Sequence, residues 1–212
     1  MVNIEKELKY ILDRQSFRRL YGFLCKQKKP DFIVRQVNYY FDTKTFSIQN
    51  KGISVRVRIW ADNAELTCKI AAIDEKKAKD FMHSYEYTKQ ITIMDAKNLL
   101  KNGISINIIS NLIKPHSIDI SHDPSPLICH GRLRTARIGF TIENGLDPLL
   151  LDINAYLDTF DYELEWETAD IDRARTKLQD LFNCSEVNLP SHTKLKTKRK
   201  RYFERKSSLN LR

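Results

Sequence analysis

No apolar run in the chain approaches the ~20 residues that a membrane-spanning helix requires. The opening residues, MVNIEKELKY, are charged throughout and do not form the apolar stretch of a signal peptide. These two absences predict a soluble, cytoplasmic protein. The four cysteines, Cys25, Cys68, Cys129 and Cys184, include no CxxC pair. They read as reduced thiols, and no structural zinc site is predicted. The sequence lacks a G-x-x-x-x-G-K run, which excludes backbone cradling of phosphate by a P-loop. It shows no Ser-His-Asp or Cys-His arrangement. The five histidines, His83, His116, His122, His130 and His192, match no zinc spacing and receive no role. Internal repeats and low-complexity linkers are also missing.

What remains is a chain of 212 residues, long enough to bury roughly 70% of its unfolded surface without a metal or disulfide staple. One domain over residues 1–212 is expected, and any metal that the chain binds is then functional. The net charge of +9 suggests a nucleic-acid binder until it is located along the chain. Residues 191–212 hold nine Lys or Arg against the single acid Glu204, so this C-terminal segment carries nearly all of the excess. The rest is close to neutral and presents no general basic field. The tail is the sole hint of a nucleic-acid partner, and most such runs are solvated termini.

The dominant hydrophobic period is two. Segments 3–11, 34–41, 52–60, 64–71, 82–93, 132–142, 148–157 and 161–167 read as strands, and eight strands can close a barrel. Helices are expected after Asp13 and Asp170, which lead amphipathic stretches. A short helix is expected from Asp95 to Leu100, and a basic one over 197–206. Residues 111–130, with Pro115, Pro124 and Pro126, read as a long irregular connection. The Tyr39-Tyr40-Phe41 run, Trp60 and Trp166 are assigned to the exterior core, and Tyr156 to the opposite face by parity.

The polar stripe on these strands is ionised. Because successive side chains alternate faces, Glu5, Glu7 and Lys9 share one side of the first strand. Arg56 and Arg58 share one side of the third, and Glu65, Thr67 and Lys69 one side of the fourth. Asp152, Asn154 and Tyr156 alternate with apolar residues late in the chain, as do Asp161, Glu163, Glu165 and Glu167. Charged faces of antiparallel sheets ordinarily meet water. Here the signs segregate, with acids on the first and late strands and bases between them. Turned inward, such faces suit a metal–polyphosphate complex. Mg²⁺ and Mn²⁺ prefer carboxylate oxygens, making Glu5, Glu7, Asp152, Glu163 and Glu165 candidate ligands. Arg56, Arg58, Lys69 and Lys9 offer donors for phosphate oxygens.

Glu5-Lys6-Glu7-Leu8-Lys9 resembles the ExExK signature of the CYTH superfamily, the triphosphate tunnel metalloenzymes. Further motifs follow in the family's order. They are Asn38-Tyr39-Tyr40-Phe41-Asp42, the Arg56/Arg58 pair, Leu66-Thr67-Cys68-Lys69, Glu86, Arg137, Asp152 and Asp161–Glu167. Lys198 and Arg201-Tyr202-Phe203 resemble the final element of small bacterial CYTH proteins. The resemblance implies an α+β, mostly β fold: an eight-stranded antiparallel closed barrel with a charged lumen and helices packed outside. It implies Mg²⁺ or Mn²⁺ on Glu5, Glu7, Glu163 and Glu165, with Asp152 and Glu86 matching less closely. It places phosphate on Lys9, Arg56, Arg58, Lys69, Arg137, Lys198 and Arg201, and a catalytic centre around Glu5, Glu7 and Lys9. Two departures stand out. Glu86 lacks a second acid two residues away, and Arg137 has opposite parity to Arg132 and Arg134, so only one set can face the lumen without a bulge; the family pattern implies Arg137 inward and the other two at the surface. The implied activity is metal-dependent hydrolysis of a small-molecule triphosphate or polyphosphate, inorganic triphosphate first. Thiamine or nucleoside triphosphate hydrolysis, a class IV adenylate cyclase, and a non-enzymatic polyphosphate- or RNA-binding protein stay open as alternatives.

Overall fold

The computed structural model describes residues 2–71, 81–116, 120, 125–188 and 196–210. Eight strands follow the expected alternation: β1 (Val2–Leu12), β2 (Phe32–Asp42), β3 (Ile53–Trp60), β4 (Asn63–Ala71), β5 (Phe81–Ile91), β6 (Ile128–Phe140), β7 (Leu149–Tyr156) and β8 (Thr159–Glu167). They form a closed barrel in the order β1-β5-β4-β3-β2-β6-β7-β8. Among the described residues six α-helices accompany them: α1 (Arg14–Gln27), α2 (Ser47–Asn50), α3 (Ile93–Asn102), α4 (Ile106–Ile113), α5 (Ile171–Cys184) and α6 (Lys198–Asn210). No described helix is long and apolar enough to cross a membrane.

Contacts divide the chain into two compact units. The first holds most of β2 and β5, all of β3 and β4, and α2 to α4. In its sheet Val57 lies opposite Leu66 and Cys68 opposite Tyr87, so apolar side chains share one face. Ala96 of α3 and Ile106, Ile109 and Ile113 of α4 complete that core, in which Val55, Val57, Cys68, Ile104 and Ile109 are fully buried. Burial pushes the Cys68 thiol up to about 12, which suits packing and not nucleophilic work. Thr92 caps α3 in a reciprocal capping box with Asp95, so the helix begins two residues before Asp95.

Helix α4 corrects the expected irregular connection over 111–130, as does β6, which starts at Ile128. The α4 sequence, INIISNLI, is rich in β-branched residues and Asn, which are weak helix formers. Its helical form comes from burying Ile106, Ile109 and Ile113 on one side. Of the residues discussed from sequence, Pro124, His122, His192 and Lys194 lie outside the described set.

The second unit holds most of β1 and β6, all of β7 and β8, and helices α1, α5 and α6. Leu8, Phe140, Leu149, Leu151, Leu164 and Trp166 form one apolar face beneath Phe17, Leu20 and Leu24 of α1 and Ala174, Leu178 and Phe182 of α5. Asp13 caps α1 by accepting from the Ser16 amide at 2.7 Å, and Asp170 caps α5 through the Arg173 amide. Trp166 is buried with its indole N–H donating to the Asp147 carbonyl at 2.7 Å. In the first unit α3 and α4, and in the second α1 and α5, take the apolar face, leaving the ionised face of the strands on the other side.

Leu66→Ala would leave a cavity in the first unit's core, where the residue is 1% exposed. A loss of about 2–5 kcal/mol is expected from urea unfolding followed by circular dichroism.

Candidate active site

The ionised face of the first unit is built by register. Arg56 and Arg58 on β3 lie opposite Thr67 and Glu65 on β4, and Lys69 lies opposite Glu86 on β5. Lys69 Nζ contacts Glu86 at 2.8 Å and Arg58 Nη1 contacts Glu65 at 3.2 Å, while Arg58 Nε donates to Asn38 at 3.2 Å. Arg56 is held less closely, at 3.5 Å from Glu86 and 3.9 Å from Glu65, and its Nε is buried with no hydrogen-bond partner among the described residues. A buried guanidinium with an unused donor is poised for an anionic oxygen. Burial alone would raise Glu86, but Arg56 and Lys69 hold its carboxyl down at about 2.

The second unit concentrates acids. Asp152 on β7 lies opposite Arg137 on β6 and Glu163 on β8, and Glu165 lies opposite Lys9 on β1. Oxygens of Asp152, Glu163 and Glu165 lie within 4.8 Å of one another, and Asp152 and Glu163 are wholly buried. Four cations surround them. Lys9 Nζ sits 2.9 Å from Glu7, 2.8 Å from Glu165 and 3.5 Å from Glu163. Arg137 grips Asp152 bidentately at 2.9 and 2.7 Å and also bonds Glu165. From α6, Lys198 Nζ reaches Asp152 at 2.9 Å, Glu163 at 2.8 Å and Glu165 at 2.6 Å. Arg201 contacts Asp161 at 2.8 Å and Glu163 at 2.9 Å.

Neutral groups complete this network. Thr135 donates to Asn154 at 2.7 Å, Asn154 Nδ2 donates to Asp161 at 2.8 Å and to Glu163 at 3.3 Å, and Tyr156 donates to Asp161 at 2.7 Å. Desolvation would raise Glu163 and Glu165, yet Lys198 and Lys9 keep both carboxyls below their ordinary range. Burial would likewise lower Lys9, and the surrounding carboxylates raise it well above its usual value instead. The acids are therefore anions and Lys9 a cation, the states needed for metal and phosphate binding. The all-carboxylate donor set fits a hard divalent cation such as Mg²⁺ or Mn²⁺.

A family model described as the CYTH domain matches residues 3–198. The chain belongs to the CYTH family. It is 27% identical over 203 residues to YjbK of Bacillus subtilis, a triphosphatase by name only, with 96% of each chain covered. Among solved structures, HpAC1 from Hippeastrum superposes with a TM-score of 0.79 at 19% identity, covering 94% of this chain and 95% of that one. That protein is described as a nominal adenylyl cyclase with a dominant triphosphatase activity. A nominal adenylate cyclase from Bacillus halodurans superposes with a TM-score of 0.71 at 23% identity, covering 95% and 98%. The CYTH barrel with outer helices is thus shared across these proteins.

Of the residues singled out from the CYTH pattern, the second unit brings together Glu7, Lys9, Arg137, Asp152, Glu163, Glu165, Lys198 and Arg201. The first brings together Arg56, Arg58, Lys69 and Glu86. Glu5 is half-buried, two residues before Glu7 on β1, and stands outside the three-carboxylate group. Arg137 faces the acids while Arg132 and Arg134 are exposed, as the family pattern implied, and the β6–β7 register is continuous from Arg134 to Phe140. Arg137, Lys198 and Arg201 were grouped with the phosphate-binding bases, and the structure sets all three directly on carboxylates.

Tyr40 is a correction. It lies opposite Arg56 in the β2–β3 ladder, hence on the ionised face and not in the exterior core. The aromatic run hid this, although Asn38 two residues earlier shares the parity. Glu65, Thr135, Asn154 and Asp161 were also missed as site components. Alternation marks their face, but partners from other strands give them their roles. His130 stacks on Phe46 at 4.4 Å and bonds the Thr43 carbonyl, while His116 packs between Tyr85 and Tyr87, consistent with structural roles.

Glu86 generates a pH prediction. Its folded pKa, about 2, lies below its ordinary 4.5, so its contribution is complete above pH 4.5 and is lost as pH falls toward 2. Urea midpoints measured between about pH 5 and about pH 2.5 are expected to fall less steeply for Glu86→Gln than for the unmodified chain.

Proposed function

We propose that this CYTH protein hydrolyses a triphosphate with a divalent metal, and that inorganic triphosphate is its preferred substrate. The observation that carries the reading is the buried group of Asp152, Glu163 and Glu165, three carboxyl groups with oxygens within 4.8 Å. The HpAC1 likeness and the name of YjbK support the same activity.

In this reading Asp152, Glu163 and Glu165 hold the metal, with Glu5 and Glu7 contributing directly or through water. When bound, the metal polarises phosphoryl oxygens and offsets charge in the transition state. Arg56, Arg58 and Lys69 bind phosphate oxygens, and the unused Arg56 Nε supplies a donor already desolvated for that purpose. Lys9, kept protonated by Glu7 and Glu165, acts as a fixed cation and not as a base. An acid of the Glu5/Glu7 pair orients the attacking water in line with the leaving group. Inorganic triphosphate comes first because the phosphate-binding bases account for its phosphates without an organic group. Most of the rate then comes from positioning and preorganised charge.

The test is phosphate release from inorganic triphosphate, thiamine triphosphate and ATP with Mg²⁺ or Mn²⁺. Inorganic triphosphate is expected to turn over fastest, with activity lost to a chelator and restored by either ion. Glu163→Gln should lower kcat/KM on the order of 100-fold or more, and Arg56→Ala should lower it about 100-fold. Release from none of the three substrates overturns the reading. Cyclic AMP formed from ATP, the reaction named for HpAC1 and the Bacillus halodurans protein, would replace hydrolysis by cyclisation.

A further inference from the structure

Helix α6 has the sequence KRKRYFERKSSLN, yet it sends two side chains into a region made of carboxylates. Lys198 Nζ is 2.6, 2.8 and 2.9 Å from oxygens of Glu165, Glu163 and Asp152. Those are the same three residues whose oxygens cluster within 4.8 Å. The ammonium therefore sits where a cation coordinated by all three acids would sit. Mg²⁺ bonds oxygen at about 2.0–2.1 Å, so an ion in that triangle and an ammonium at hydrogen-bond distance from the same oxygens exclude one another by contact and by charge.

The grip on the rest of the helix is mainly electrostatic. Tyr202 is buried near Tyr156, with centroids 6.1 Å apart, but belongs to neither apolar core. Arg201 holds Asp161 and Glu163, and Arg205 pairs with Asp158 at the surface, where such a pair adds little. Glu7, Asp152, Asp161, Glu163 and Glu165 pair with Lys9, Arg137, Lys198 and Arg201.

We propose that Lys198 is the resident cation of the three-carboxylate site, that a divalent metal must displace it to bind, and that metal loading thereby loosens α6 from the acids. This rests on the metal-dependent reading above. The displaced ammonium loses its carboxylate partners and becomes available to a substrate phosphate. Lys198 thus changes from counter-ion to phosphate ligand as the metal enters. An unloaded site is held closed by the protein's own charge, and α6 couples metal occupancy to substrate capture.

The experiment uses the full chain freed of metal, titrated with Mn²⁺ and followed by electron paramagnetic resonance. Lys198→Met is expected to bind Mn²⁺ roughly tenfold tighter, a typical coupling between competing ligands. Lys198→Arg, which keeps the competing charge, should stay near the unmodified affinity. Lys200→Met removes the same charge from an exposed position on the same helix and should also leave affinity unchanged. In the unmodified chain, saturating Mn²⁺ should raise amide hydrogen exchange across 198–210. The proposal is overturned if Lys198→Met binds Mn²⁺ no tighter, if Lys200→Met tightens binding equally, or if exchange in α6 is unchanged or slowed by Mn²⁺. Those results beside intact Mn²⁺-dependent triphosphate hydrolysis would reject the displacement alone. No Mn²⁺ binding by any variant together with no hydrolysis would reject the metal-dependent reading with it.

Discussion

Burying a carboxylate without a partner is among the costliest things that a fold can do, and here several are buried side by side. Asp152 and Glu163 have no exposed surface, and Glu7 and Glu165 have little. Their presence is tolerable because every one of them meets Lys9, Arg137, Lys198 or Arg201 at ion-pair distance. Those pairs are evidence of function more than of stability, since an apolar replacement of the whole set would often be neutral or stabilising. A network retained at that cost is one whose charges are used.

The remaining architecture follows from supplying this network with rigid supports. Strands bring charged residues to one face at every second position, and the opposite face must then be covered. In the second unit α1 and α5 do so, and in the first α3 and α4. The acids sit on strands whose apolar sides are locked beneath helices, so their positions are set by packing. Asn154 adds a finer constraint, tying Glu163 and Asp161 to Thr135 with neutral hydrogen bonds. Helix α6 differs from the other long helices in meeting the ionised face and holding it largely by charge, which makes its seating sensitive to any competing cation.

The two ionised faces differ in how fully their charges are used. On the second unit's face the acids are closely paired and Arg137 is bidentate. On the first unit's face Arg56 keeps a buried donor without a partner among the described residues and contacts its acids at 3.5 and 3.9 Å. Acids saturated by internal cations suit a site where one cation is exchanged for another. A guanidinium with donor capacity in reserve suits a site that awaits an anion. The chemistry of a metal–triphosphate complex asks for both.

Strand positions and the ionised stripes were legible in the sequence because alternation is a local property. All eight strands fall where the period of two puts them, and parity set Arg137 apart from Arg132 and Arg134, with the family pattern choosing Arg137 as the inward one. The order of CYTH motifs named the family for the same reason. Helix α4 was not legible, since its residues favour helix weakly and Ile106, Ile109 and Ile113 become helical by burial beneath a core assembled from distant strands. Tyr40 was misread because an aromatic run says nothing of which face is ionised until Arg56 is opposite it. The meeting of Lys198 with Asp152, Glu163 and Glu165 joins residues 33 or more positions apart. Local pattern determined which residues are charged and which side of a strand they take. Only tertiary structure decided which charge neutralises which, because that depends on strand order and on where the last helix comes to rest.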